Sequence, residues 1–396
     1  MTGSLLQKPD KLGCVGSELD VSDRSGSGSM QRLLIAGGGT GGHLFPAMAV
    51  ADAWKKTTAG EVLFVGTPWG LESRVLPQEG RRLATLRVGQ LKGSGLWRRV
   101  RTLAGLVPAL WGALVILREF RPHIVLGVGG YASAPAVVAA RLLGLPTVLH
   151  EQNALPGLAN RLLGRFVQTV CLSFPQAAVH FSGRPVLTTG NPVRESLVQA
   201  AAEEGEVSSL AAPLRLLIFG GSQGAQILTD VVPAALADLV KGAGQASIRV
   251  QHQVRAADVE SVAAFYRQAG IEANCAPFFR DMAQAYRAAD LVIARAGATT
   301  LAELMVMGKP ALLIPYPFAA DDHQTANARA LVEAGGAWMQ SQAHLTVPWL
   351  TEFLVQRLAD RGGLLDVGLR AHSLAHPEAA QRIVATLLGL VQGNRI

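Results

Sequence analysis

Two stretches constrain this chain more than any others. RLLIAGGGTGGH (Arg32 to His43) and LRLLIFGGSQGAQ (Leu214 to Gln226) each set a short apolar run before a cluster of glycines. A continuous apolar run of four or five residues that ends in glycine fits a strand buried on both faces, and such strands belong to parallel sheets covered by helices. Two such openings in 396 residues predict two domains that start alike. Further apolar strands fit the same plan: residues 62–65, 124–126 and 147–149 in the first half, and 248–251, 291–293 and 311–314 in the second. Helical patterns over 47–54 and 136–143 alternate with the first set. The pattern predicts two doubly wound α/β domains in tandem. The break falls near GNPVRESL (Gly190 to Leu197), ahead of the small and polar stretch AAEEGEVSS. Ligands of such folds sit beyond the carboxyl ends of the strands, so a cleft between the two domains is where a site is expected.

The first glycine loop imitates two nucleotide motifs. Gly37, Gly39 and Gly42 satisfy G-x-G-x-x-G, but the dinucleotide fingerprint also wants an acid at the end of the second strand. That strand ends Val65-Gly66-Thr67-Pro68; Glu61 lies at its start and the next acid is Glu72. A Walker A loop fails too, because His43 stands in the lysine position and no Ser or Thr follows. What remains is the main chain: glycines let N–H groups approach an anion at a helix N-terminus. The loop Gly220-Gly221-Ser222-Gln223-Gly224 offers the same, with a hydroxyl added, and Gly127-Val128-Gly129-Gly130-Tyr131 is a third loop after a strand. Each alone is equally an ordinary tight turn; three together point to phosphate groups.

Composition narrows the partners. Hydrophobic residues are 49% and charged residues 16%, which supplies large cores and excludes a disordered chain. The net charge of +7 suits a polyanion. No block of five or six like charges occurs and aromatics are few, so a phosphorylated ligand or an anionic membrane surface ranks ahead of nucleic acid. Cys14, Cys171 and Cys275 are odd in number and widely spaced, which speaks for free thiols and against a zinc site. Residues 1–29 lack the apolar core of a secretory signal and are expected to form a flexible tail, with the folded part starting near Met30. The longest apolar run, 103–117, is too short to span a bilayer, and Pro108 interrupts it. Around it, Arg98, Arg99 and Arg101 stand beside Leu96, Trp97, Leu103 and Trp111. That pattern suits an interfacial helix on anionic lipid, a helix packed on the sheet, or one of each by face.

A longer set of segments carries a family resemblance. GGGTGGHLFPAMAVADAW, GGYASAPAVVAARLLGLPTVLHEQNALPGLANRLL, GNPVR, GGSQGAQ and RAGATTLAEL…GKPALLIPYP…DDHQTANA occur in that order. Together they closely resemble the MurG family, bacterial N-acetylglucosaminyltransferases of peptidoglycan synthesis in glycosyltransferase family 28. The similarity runs from about Met30 to the C-terminus. It implies a GT-B fold, two Rossmann-like domains facing each other across a cleft. The implied organisation is a tail over 1–29, an acceptor- and membrane-binding domain over 30–193, a UDP-N-acetylglucosamine-binding domain over 194–373, and a C-terminal helix over 374–396 packing back on the first domain. It also implies inverting transfer of N-acetylglucosamine from UDP-N-acetylglucosamine to the C4 hydroxyl of undecaprenyl-pyrophosphoryl-MurNAc-pentapeptide (lipid I), giving lipid II. The alternative is another GT-B UDP-sugar transferase acting on a glycolipid. The implied place is the cytoplasmic face of the bacterial plasma membrane, held peripherally, with other cell-wall and division proteins as possible partners.

Inverting transfer needs a base for the acceptor hydroxyl and stabilisation of the departing diphosphate. Asp321 and Asp322 are adjacent, and adjacent side chains diverge, so no Asp-x-Asp metal clamp is present and no metal cofactor is expected. Ser222, Gln223 and the amides of their loop are the candidates for the donor diphosphate. His43 is a candidate base, an acceptor-binding cation, or a helix-capping residue; Glu151 is the rival base. Thr40, Gly41 and Gly42 are expected at the acceptor diphosphate and within reach of the donor. The resemblance further implies Asn153 on the donor sugar, Glu151 and Tyr131 on the acceptor side, and Arg194 near the donor diphosphate or the linker. It implies Glu303 on the ribose, beyond Ala298 and Thr299, although an acid in a first helical turn also simply complements the dipole. Phe278 and Phe279 are candidates for the uracil pocket, Phe279 through its main chain, and Gln324 for the sugar hydroxyls. His323 stands where relatives often have a glutamine.

Overall fold

The computed structural model describes residues 31–88, 96–203, 213–221, 225–242 and 247–393, with side chains described from 107 onward in the helix Leu96–Phe120. The sequence expectations for residues 1–29 and for Cys14, Ser222 and Gln223 lie outside the described residues.

Two parallel sheets form. The first has β1 (Arg32–Gly37), β2 (Glu61–Gly66), β3 (Leu83–Thr85), β4 (Ile124–Gly129), β5 (Thr147–Glu151), β6 (Thr169–Leu172) and β7 (Val186–Thr188), in the spatial order β3-β2-β1-β4-β5-β6-β7. The second has β8 (Leu214–Phe219), β9 (Ile248–Gln253), β10 (Glu272–Ala276), β11 (Leu291–Ala294), β12 (Ala311–Leu313) and β13 (Trp338–Met339), in the order β10-β9-β8-β11-β12-β13. Both orders reverse direction beside the first strand of their sheet, the place where α/β sheets open a crevice. Alternation along the strands feeds two layers. Leu33 and Ile35 pack with the helices Gly41–Thr58 and Ala379–Gly393, while Leu34 and Ala36 pack with Leu96–Phe120 and Ser133–Leu142. Leu217 and Phe219 face the helix Ala298–Val306, and Leu216 and Ile218 face Gln226–Gly242 and Val347–Ala359. The helix Ala379–Gly393, last in the chain, thus lies on the first domain, where Arg382 also donates to the Thr188 carbonyl at 3.4 Å.

The helix after β1 starts earlier than the sequence pattern suggests, at Gly41 and not near residue 47, so Gly41, Gly42 and His43 occupy its first turn. Pro46 lies inside it and has no N–H to give, which leaves the Gly42 carbonyl without its helical donor. Thr299 of the second domain supplies one: its hydroxyl donates to Gly42 O at 3.3 Å. A second polar seam joins the domains at Asn327, which is fully buried. Its Oδ1 accepts from Ala154 N–H at 2.8 Å, and its Nδ2 donates to Asn153 Oδ1 at 3.1 Å and Ala296 O at 3.3 Å. Lys56 pairs with Glu195 across the linker, and Arg161 with Asp321 at 3.5 Å across the cleft mouth. Asn327→Ala strands a buried N–H and two acceptors. It is expected to lower stability by about 1–3 kcal/mol, measured by urea unfolding. An unchanged midpoint would show that the seam does not hold the domains together.

Candidate active site

The carboxyl ends of β1 and β4 approach closely because neither carries a side chain there. A Cβ on Gly37 (φ 143°) would lie 2.2 Å from Gly129 O, and one on Gly130 (φ 82°) 2.4 Å from Gly38 O. Only glycine fits both the space and the backbone angle. The β1–β4 register breaks at Ala36/Gly37, and Gly38 N–H donates to Gly129 O at 3.3 Å instead. The two glycine loops therefore form one wall of the cleft. His43 stands against it: a Cβ on Gly129 would lie 2.9 Å from His43 Nε2.

Thr40 precedes the helix in extended conformation, yet its hydroxyl does not cap it. Thr40 Oγ1 lies 3.3 Å from His43 Nδ1 instead. The first turn holds no acid, so the N-terminus keeps unpaired N–H groups and its positive dipole end. The helix Ala298–Val306 opens the same way, behind Gly297, with neither a side-chain cap nor an acid in its first turn. Through the Thr299–Gly42 bond these two bare N-termini meet at the domain interface.

Half-buried His43 is held neutral: burial and nearby His323 lower its pKa to about 4, against the opposing pull of Glu72 and a hydrogen bond to the Gly38 main chain. His323 bonds through Nδ1 to the Ala320 carbonyl at 2.7 Å. A carbonyl only accepts, so Nδ1 carries a proton. Buried His150, between Ser173 Oγ and Gln152 Nε2 at 3.2 Å each, is likewise lowered to about 4, chiefly by burial.

Glu151 is not where a base is wanted. It is 1% exposed. Oε1 accepts from Asn153 N–H at 2.9 Å and Asn153 Nδ2 at 3.2 Å, and Oε2 from Asn160 Nδ2 at 2.9 Å. Burial raises its pKa, opposed by those bonds. The carboxylate shapes the turn that follows β5, and both its oxygens are bonded within the first domain. Asn153, expected on the donor sugar, gives its Oδ1 to Asn327.

Glu303 is 6% exposed. It accepts from Arg194 Nη2 at 3.2 Å and from Tyr286 OH at 3.0 Å. Burial raises its pKa, while Arg194 and Tyr286 hold it back. The Arg194 guanidinium also lies 5.2 Å above the Phe45 ring, which ties linker, first domain and second domain at one point. Ala298 is buried behind this pair, and Phe279 packs into the same core, whereas Phe278 is exposed. Gln324 Oε1 accepts from Tyr316 N–H at 2.9 Å, and Arg295 pins the same loop through the Ile314 and Pro315 carbonyls. Tyr131 is exposed directly after the Gly129-Gly130 turn. Asp321 and Asp322, both in the left-handed region (φ 52° and 53°), diverge to Arg161 and to Thr325.

Thus His43, Thr40, Gly41, Gly42 and Thr299 converge, and Arg194 and Glu303 form a second group one helix turn from them. Asn327, Glu72 and Tyr286 escaped the sequence reading. Asn327 had one usable signal, its place in DDHQTANA four residues after His323, on the same helix face.

Comparison with known proteins matches this arrangement. Residues 33–172 fit the glycosyltransferase family 28 N-terminal domain, and 215–382 the family 28 C-terminal domain. A protein of Magnetococcus marinus is 50% identical over 369 residues, covering 92% of this chain and 99% of its own length. One of Syntrophotalea carbinolica is 44% identical, covering 89% and 97%. Both are named UDP-N-acetylglucosamine–N-acetylmuramyl-(pentapeptide) pyrophosphoryl-undecaprenol N-acetylglucosamine transferase. The crystal structure of Acinetobacter baumannii MurG superposes with a TM-score of 0.75 at 32% identity, covering 91% of this chain and 99% of that one. With two parallel-sheet domains of this topology and both family domains matched along its length, the chain belongs to glycosyltransferase family 28 and has the GT-B fold.

Proposed function

We propose that this enzyme moves N-acetylglucosamine from UDP-N-acetylglucosamine to the C4 hydroxyl of the muramyl sugar of undecaprenyl-pyrophosphoryl-MurNAc-pentapeptide, with inversion, and so makes lipid II for peptidoglycan synthesis. The observation that carries the mechanism is the meeting of two uncapped helix N-termini at the domain interface, with neutral His43 between them. Each substrate brings a diphosphate, and each N-terminus is a place for one. The named activity of the relatives supports the choice of sugar and acceptor.

The acceptor's diphosphate takes Thr40 and the Gly41 and Gly42 amides. His43 then accepts the C4 proton as the oxygen attacks the anomeric carbon from the face opposite UDP. On the donor side, Arg194 Nη2 donates to Glu303 Oε1. Both are matched to the nucleotide: a guanidinium to diphosphate oxygens, a carboxylate to ribose hydroxyls. Donor binding exchanges the pair for two new ones. The helix Ala298–Val306 and the loop holding Ser222 and Gln223 complete the diphosphate site, with Gln324 and Asn153 toward the sugar and Phe279 toward the base. Leaving-group charge is thereby met by dipoles and Arg194, without a metal. Asp321 and Asp322 point apart, to Arg161 and to Thr325.

The acceptor's lipid tail brings the enzyme to the cytoplasmic face of the plasma membrane as a peripheral protein. No helix among the described residues is long and apolar enough to cross a membrane. The helix Leu96–Phe120 buries Ala109, Ala113, Ile116 and Leu117 against the sheet and turns Val107 and Trp111, 64% exposed, outward. That outer face, with the arginines at the helix start, suits anionic lipid. Cell-wall and division proteins that share this membrane are the natural further partners.

Three measurements test this. His43→Ala is expected to lower kcat by about 10²–10⁴ while UDP-N-acetylglucosamine still binds; near-normal turnover would remove His43 as base. A base works when deprotonated, so with a pKa lowered to about 4 the acid limb of kcat/KM lies well below the ordinary histidine value of 6.5. The bound diphosphate raises that pKa, so the acid limb of kcat lies at higher pH than that of kcat/KM. Glu303→Ala should raise the donor KM about tenfold or more, the scale of a lost charged hydrogen bond, and leave the acceptor KM alone; a shift confined to the acceptor would put the ribose elsewhere. Turnover of a short-chain lipid I analogue should persist in EDTA, and its loss and recovery with magnesium would replace the metal-free mechanism.

A further inference from the structure

We infer that Glu72 is a positioning residue for the acceptor: its carboxylate is a built-in anion that holds the first glycine loop and steers the acceptor's diphosphate onto the helix N-terminus beside it. The inference rests on the proposed function, since it takes the diphosphate-bearing acceptor to bind at this loop.

Glu72 opens a short helix after β2, and its side chain turns back to the end of the sheet, where it is 1% exposed. Oε2 accepts from Gly39 N–H at 2.6 Å; Oε1 accepts from Thr67 N–H at 2.8 Å and Thr67 Oγ1 at 2.9 Å. Three glycines from three segments leave room for the carboxylate. A Cβ on Gly38 would lie 2.6 Å from Glu72 Cδ, one on Gly66 2.4 Å from Cγ, and one on Gly70 2.2 Å from Oε1. The pocket is therefore built around this group, and the acid missing from the end of the second strand arrives six residues late. It binds the loop's own N–H, where a dinucleotide fold would offer that N–H to pyrophosphate.

Two consequences follow from charge. With a carboxylate on Gly39 N–H, a phosphate on that N–H meets a like charge in contact. The unpaired donors nearest to it are Gly41 and Gly42 N–H, since the helix's first bonds are His43 and Leu44 N–H to Thr40 O. The diphosphate is thus displaced by about a turn, to the dipole end and to His43. The Gly38–Gly39 segment that Glu72 fixes is also the one whose main chain bonds the His43 ring. His43 feels Glu72 as a favourable charge, His323 as an unfavourable one, and lies close enough to His150 to disfavour its protonation.

The test compares Glu72→Gln, which keeps shape and removes charge, with Gly70→Ala, which lies outside the binding machinery and pushes the carboxylate from its seat. Turnover is measured with a short-chain lipid I analogue and UDP-N-acetylglucosamine, and donor binding separately by calorimetry. Both variants are expected to raise the acceptor KM about tenfold or more, the scale of one charge-assisted hydrogen bond, with donor affinity held within about twofold. Glu72→Gln should also move the acid limb of kcat/KM to lower pH, because the charge that raises the His43 pKa is gone. A wild-type acceptor KM in both variants overturns the inference. So does a loss of donor affinity equal to the loss for acceptor, the mark of a merely structural role. Absence of lipid I turnover in the unmodified enzyme would instead sink the proposed function.

Discussion

The contact on which the cleft depends is main chain against main chain. Gly37 and Gly38 of the first loop lie on Gly129 and Gly130 of the second, at distances no β-carbon permits. Strand pairing stops there and one N–H···O bond takes over. The convergence aims the helix Gly41–Thr58 into the cleft and gives the His43 ring a flat glycine surface to rest on. A methyl group at Gly129 would displace His43 with no change to any polar contact of its own. Packing, not hydrogen bonding, thus sets the position of the imidazole, and hydrogen bonding refines its angle.

The domain interface is built differently. Thr299 to Gly42, Asn327 to the Asn153–Ala154 turn, and Arg194 to Glu303 are polar bonds between a few groups. Apolar packing between domains gathers near the linker, where Ala154, Phe174, Val193 and Leu197 join the core of the second domain. Such a division favours motion about the linker, because polar bonds at the cleft can be exchanged for bonds to substrate at little net cost. The Arg194–Glu303 pair is the clearest case. Arg194 and Tyr286 keep Glu303 from standing buried without a partner.

Much of the fold was legible in the sequence because it depends on local period. Apolar runs and glycine clusters gave the strands of both sheets that border the cleft. The outer strands β3, β6, β7, β10 and β13 were not read from the sequence; β3, β7 and β13 have only two or three residues, and β10 is polar at both Glu272 and Asn274. The first helix starts six residues before its apolar pattern, at Gly41, with Pro46 inside it; the carbonyl that loses its donor to Pro46 is met by Thr299 of the other domain. Among the candidate site residues, the family motifs singled out His43, Arg194 and Glu303, and the fold brings Arg194 and Glu303 into contact between the domains. The direction in which Glu151 and Glu72 turn was not legible. Both are acids near a glycine loop, and sequence spacing does not say which way a carboxylate turns. Glu151 turns inward to Asn153 and Asn160, and Glu72 turns back to Gly39, because donors from distant parts of the chain await them there.

These two acids also bear on how the cleft divides its work. A carboxylate that serves as base must meet the substrate, and both oxygens of Glu151 are already bonded within its own domain. Freeing one would cost a buried Asn its acceptor. His43 has no such debt: it is half-buried at an uncapped helix end, and burial lowers its pKa against the pull of Glu72. Glu72 supplies the opposing influence at a distance, bonded to the loop and not to the ring. A direct Glu–His pair would give a stronger base, but on the proposed mechanism it would also place an anion where the acceptor's diphosphate is to bind. Holding the carboxylate one loop away lets the imidazole stay basic enough to accept a proton and leaves the helix end open to phosphate.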